Sequence, residues 1–118
     1  MQEIVANLSD LKFNLETWRR ELRFHYDEMD TFQDKLEETV GKGLGQGADK
    51  SLDNFHNRIM IEKVAISKLK HRCKSQIRNS NYSVNSDESL STDMRTYIKM
   101  HYDLKEEMMD FFSEYLGN

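Results

Sequence analysis

The chain has 118 residues and a formal net charge of −4, with 37% hydrophobic and 32% charged residues, no proline and one cysteine. That length bounds a single domain with a modest core, and the apolar fraction suits long helices burying a narrow stripe better than a thick globular interior. The acidic balance argues against bulk nucleic-acid binding, lone Cys73 leaves no internal disulfide, and no apolar run approaches the ~20 residues that span a bilayer.

The opening stretch Met1-Gln2-Glu3-Ile4-Val5 has neither the basic nor the apolar region of a secretory signal, so the cytoplasm is the expected location. From there Ile4, Leu8, Leu11, Leu15, Trp18, Leu22, His25, Met29, Phe32 and Leu36 follow at alternating spacings of four and three. This is the seam of a coiled coil and predicts a helix over about 2–40, with His25 as its one polar break. Phe13 and Phe24 fall outside the seam, at outer positions eleven residues apart that share a face. They read either as a docking face for another helix or as side chains packed under the third helix.

Glycines at 41, 43, 45 and 47 mark a turn over 41–48, with Gly41 as the helix stop. Asp49 or Ser51 is then expected to cap a second helix over about 50–78. Its seam runs Leu52, Phe55, Ile59, Glu62, Ile66, Leu69 and Cys73, widened by Met60, Ile61, Val64 and Ala65 as a central helix touching two neighbours would need. The polar, aperiodic stretch 79–86 reads as a loop. Ser86 or Asp87 starts a third helix over about 87–116, whose seam is Leu90, Met94, Tyr97, His101, Leu104, Met108, Phe111 and Tyr115. Ile98 and Phe112 flank that seam. Short connections between long helices give antiparallel neighbours, so the expected fold is all-α: an antiparallel up-down-up three-helix bundle with heptad packing, in one domain. With Trp18 on its first seam, the chain resembles a spectrin-type repeat in architecture. Its third helix has no second tryptophan, and no function is carried over.

Two seam positions hold histidine, each inside a His-Tyr-Asp triplet, at 25–27 and 101–103. Counting levels from the two turns places His25 and His101 near one layer, with Glu62 in the next. The spacing favours packed core histidines with satisfied nitrogens; a register or pH-sensitive layer and a metal site built from His25, His101 and Glu62 are the alternatives. No glutamate precedes a histidine by three, and no histidine is followed four later by histidine or glutamate. The spacings of di-iron carboxylate and hemerythrin-like bundles are therefore absent, and no metal or other cofactor is expected.

Acids cluster over 27–38 and 103–114, while Arg58, Lys63, Lys68, Lys70, Arg72, Lys74 and Arg78 make 58–78 basic. Folded as a hairpin, that basic segment meets Arg20 and its neighbours at one end of the bundle. Without interleaved aromatics it is a poor platform for single strands, and nucleic acid is not the expected partner. Cys73 lies on the seam, His71 on another face, and no phosphate-cradling loop or paired carboxylates in an apolar setting occur, so no catalytic residue is assigned. The sequence thus reads as a non-enzymatic protein–protein interaction module (adaptor, assembly factor or structural subunit) with a protein partner or a second copy. Its contact candidates are Phe13, Phe24, Arg20, Lys70, Arg72 and Lys74. An anion or nucleic-acid binder using the basic end is the alternative, and a metal-binding bundle the second.

Overall fold

A computed structural model describes the backbone of residues 2–79 and 84–116 and the side chains of residues 14–78 and 89–116. Three helices make up the fold: α1 (Gln2–Val40), α2 (Gln46–Asn79) and α3 (Val84–Leu116), and no strand occurs among the described residues. α1 packs against α2 and α2 against α3 in a rod of 63 × 21 × 18 Å. The ion pairs Arg58–Glu107 and Arg72–Asp93 move up α2 and down α3 in step, so those two helices run antiparallel. Lys63 pairs with Asp30 on α1. His25 meets His101, and Glu28 meets Lys105, so α1 and α3 run in the same direction.

The heptad seams become the core, in two apolar segments. One gathers Met29, Leu36, Leu52, Phe55, Ile59, Leu104, Met108 and Phe111 around the end where α1 turns into α2. The other gathers Leu15, Leu22, Ile66, Leu69, Cys73, Leu90, Met94 and Tyr97, with Trp18 half-buried against it. Between them lie the buried polar residues His25, Glu62 and His101.

The helix boundaries differ from the sequence expectation at both connections. α2 begins at Gln46 rather than about 50, and its N-cap is Gly45 rather than Asp49 or Ser51: the Gly45 carbonyl accepts from the Asp49 N–H at 2.9 Å. Gly43 and Gly45 sit at φ +61° and +111°, so two residues reverse the chain and 41–48 is a tighter turn than its glycine count implies. Leu44 and Ala48 then pack onto the core, which anchors the early helical turn, while Asp49 meets the positive end of the helix. α3 begins at Val84, inside the stretch read as a loop, because polarity alone does not end a helix and 79–86 holds no glycine or proline.

Two seam assignments also shift. Tyr115 is 37% exposed and Phe112, which flanks the expected seam, is buried in its place, its ring parallel to that of Phe32 at 6.3 Å. Met60, Ile61 and Val64 do not widen the inner face of α2; they lie on its outside, 50%, 63% and 54% exposed. In a triangular bundle both neighbours stand on the same side of α2, so a single stripe serves both and the extra apolar residues face away.

Candidate functional site

The polar layer draws on every helix. α1 brings His25 and, one turn later, Glu28; α2 brings Glu62; α3 brings Tyr97, His101 and Lys105 at spacings of four, hence on one face. The two imidazoles stack face to face with centroids 3.8 Å apart and planes 8° from parallel. His25 Nδ1 lies 2.9 Å from the Tyr97 hydroxyl. His101 Nδ1 lies 2.8 Å from Glu62 Oε2, and its Nε2 lies 3.2 Å from Glu28 Oε1. Lys105 donates to the other Glu28 oxygen at 2.7 Å. The Tyr102 ring closes the layer edge-on, 6.0 Å from His25 and 5.3 Å from His101.

His101 is held between two carboxyl groups, Glu62 at Nδ1 and Glu28 at Nε2. Burial, then the charge of stacked His101, pushes His25 down to about 4, so it is neutral near pH 7. A neutral His25 avoids the repulsion that two imidazolium rings at this separation would suffer. Burial opposes ionisation of Glu28, but hydrogen bonds from Lys105 and His101 outweigh it and hold the carboxyl below its usual range. Burial, with the nearby glutamates, raises Tyr97 above an ordinary phenol, so its hydroxyl keeps its proton.

Glu62 is the costly member. It is 1% exposed, its Oε2 is bonded to His101, and its Oε1 has no partner among the described residues. An orphaned buried acceptor costs about 1–3 kcal/mol.

The structure thus brings together His25, His101 and Glu62, and places Glu62 beside His101 rather than a layer away. It adds Glu28, Tyr97 and Lys105, which sequence reasoning missed. Of these, Tyr97 was assigned to the apolar seam, and Glu28 lies just off it. Their signals are short-range: His25-x-x-Glu28 on α1, and Tyr97, His101 and Lys105 four apart on α3. Ligand atoms of His25, Glu28 and His101 lie within 4.8 Å of one another, so the trio that could hold a metal contains Glu28 where the sequence pointed to Glu62.

The other candidates remain apart. Phe24 is 63% exposed, its ring 6.3 Å from that of His25. The side chain of Phe13 lies outside the described residues. At the basic end Arg20 and Lys74 are exposed and Lys70 is half-buried, while Arg72 is engaged by Asp93 and Ser89 on α3. Cys73 is buried in the core, and burial pushes its thiol up to about 11, far from a reactive thiolate.

Among the described residues no helix is long and apolar enough to cross a membrane. Comparison with protein-family models, curated proteins and solved structures finds no match to the chain.

Proposed function

We propose that the chain is a non-enzymatic helical interaction module, an adaptor, assembly factor or structural subunit of the cytoplasm, whose partner lays an α-helix against the outer face of α2. The observation that carries this reading is the position of Met60, Ile61 and Val64. Met60 and Val64 lie on the outer side of α2 and Ile61 at its α3-side edge, and all three are half or more exposed. α2 carries apolar residues for a third neighbour that the described residues do not supply. Ile61 also borders a pocket of about 220 Å³ with Arg58, Glu62, Met100 and Leu104. Along the same α2–α3 seam a second pocket of about 270 Å³ is lined by Ala65, Leu69, Tyr97 and Met100 among others. The ion pairs Arg58–Glu107 and Arg72–Asp93 bracket this stretch. The result is an apolar strip between polar ends, the form in which an amphipathic helix is received. Covering side chains already half-buried is worth about 1 kcal/mol each, so three or four of them support a modest, reversible contact.

The test is the double substitution Ile61→Glu, Val64→Glu. Both positions are exposed, so helicity and the unfolding midpoint should hold. A stoichiometric protein that wild type retains at high salt during capture from the native cell, after nuclease treatment, should be lost. Self-association lost on the same substitution would make the partner a second copy. Equal retention by both proteins would refute the surface. The anion-binding alternative draws no support from Arg72, which Asp93 already neutralises.

A further inference from the structure

We infer that His25, Glu28 and His101 form a binding site for one divalent first-row transition ion, zinc by its donor set, at the α1–α3 side of the polar layer. The chemistry is that of two imidazoles and one carboxylate, the set zinc takes when one position is left to water. Ligands 2.0–2.2 Å from a tetrahedral zinc stand about 3.4 Å apart. His101 Nε2 and Glu28 Oε1 are already 3.2 Å apart and the three ligand atoms lie within 4.8 Å of one another, so they close by at most about 1.4 Å; because an ion lies in the plane of each imidazole that binds it, the stacked rings also tilt apart to share one.

The groups behind the ligands carry the inference further. A metal-bound histidine nearly always donates its remaining N–H to a carboxylate, carbonyl or water, which fixes the ring and raises its basicity. His101 Nδ1 meets Glu62 at 2.8 Å, and His25 Nδ1 meets the Tyr97 hydroxyl at 2.9 Å. Both rings therefore keep Nε2 for an ion, held by a partner on the opposite nitrogen. Glu62 also explains itself here. A fully buried carboxylate with an orphaned oxygen is a poor structural choice for a proton alone, and a sound one behind a histidine that binds a cation. Glu28 and Lys105 are only half-buried, so the layer opens to solvent on that side and an ion has a way in. An ion here would take the two atoms, His101 Nε2 and Glu28 Oε1, that now face each other. The three ligands lie on α1 and α3 and none of them lines the apolar strip on α2, although Glu62 and Tyr97 behind them border its pockets.

The experiment is a titration of the full chain, stripped with a chelator, with Zn²⁺ by calorimetry and Co²⁺ by visible absorption. One equivalent per chain, the strong visible bands of four-coordinate cobalt and a raised unfolding midpoint are expected. Glu28→Gln, at the half-buried edge of the layer, should weaken binding at least tenfold, with circular dichroism confirming the fold. Glu62→Gln acts only through His101 and should weaken it about 10–100-fold. His56→Ala and His71→Ala alter exposed histidines and should change nothing. Absence of stoichiometric binding, binding indifferent to Glu28→Gln, or binding lost on altering His56 or His71 would each overturn the inference.

Discussion

Removing His101 and Glu62 singly and together should give three very different proteins. Glu62 is 1% exposed and His101 fully buried, and each is the other's closest charged partner, at 2.8 Å. His101→Leu leaves a buried carboxylate with neither oxygen satisfied, and breaking a buried pair from one side costs about 3–5 kcal/mol. Glu62→Met is milder: His101 still has Glu28 on Nε2, so the loss is about 1–3 kcal/mol, that of one stranded buried group. The double variant fills the space with apolar side chains between two apolar core segments and removes the orphaned oxygen. It should lie within about 1 kcal/mol of wild type or above it, because buried ion pairs roughly break even against hydrophobic replacements. The coupling between the two sites is then at least about 3 kcal/mol. Urea unfolding followed by far-ultraviolet circular dichroism, with chelator present, measures all four proteins, and an unchanged slope keeps the comparison valid. If His101→Leu falls within about 1 kcal/mol of wild type, or the double variant loses the sum of the singles, the pairing of Glu62 with His101 is wrong.

Cys73 gives a second prediction, in alkali. Its thiol rises from an ordinary 9.0 to about 11 in the folded protein, so its contribution is intact below pH 9 and is lost as pH climbs through 11. Wild type should lose roughly 1.4 kcal/mol per pH unit over that window relative to Cys73→Ala, about 3 kcal/mol in all, in paired denaturation curves; parallel curves would mean the thiol is not buried. In the turn, Gly45→Ala forces a side chain onto φ +111° and should cost about 1–2 kcal/mol, while Gly47→Ala, helical with open space around it, should gain about 0.5–1 kcal/mol. Thermal melts that reversed this order would contradict the turn. Leu22→Ala, fully buried, should cost about 2–5 kcal/mol in urea, and Phe24→Ala, 63% exposed, within about 0.5 kcal/mol. A large loss at Phe24 would place it in the core.

The periodicity of four and three made most of the fold legible, because burial of one stripe per helix is what holds a bundle together. Leu15, Leu22, Met29 and Leu36 occupy the positions the pattern assigns. The same pattern exposed His25, Glu62 and His101, since a polar residue on an apolar seam stands out. It could not reveal Glu28. A heptad reading looks along the seam, whereas Glu28 stands beside it and becomes part of the layer only once α3 brings His101 and Lys105 across. The glycine turn was recognised by composition, but which glycine caps α2 depends on backbone angles and on Leu44 and Ala48 reaching the core. For Met60, Ile61 and Val64 the residue types were read correctly and their direction was not. Amphipathic width measures how much surface a helix can bury, not whether its own chain supplies the cover.

That missing cover is the claim on which the functional account rests, and photocrosslinking in the source cell tests it most directly. A photoreactive amino acid in place of Ile61, and as control in place of exposed Glu38 on α1, reports what touches each face under native conditions. The account predicts one discrete covalent adduct at position 61, to a partner or to a second copy, and none of that mass at position 38. Equal patterns at the two positions, or no adduct at 61, would contradict it.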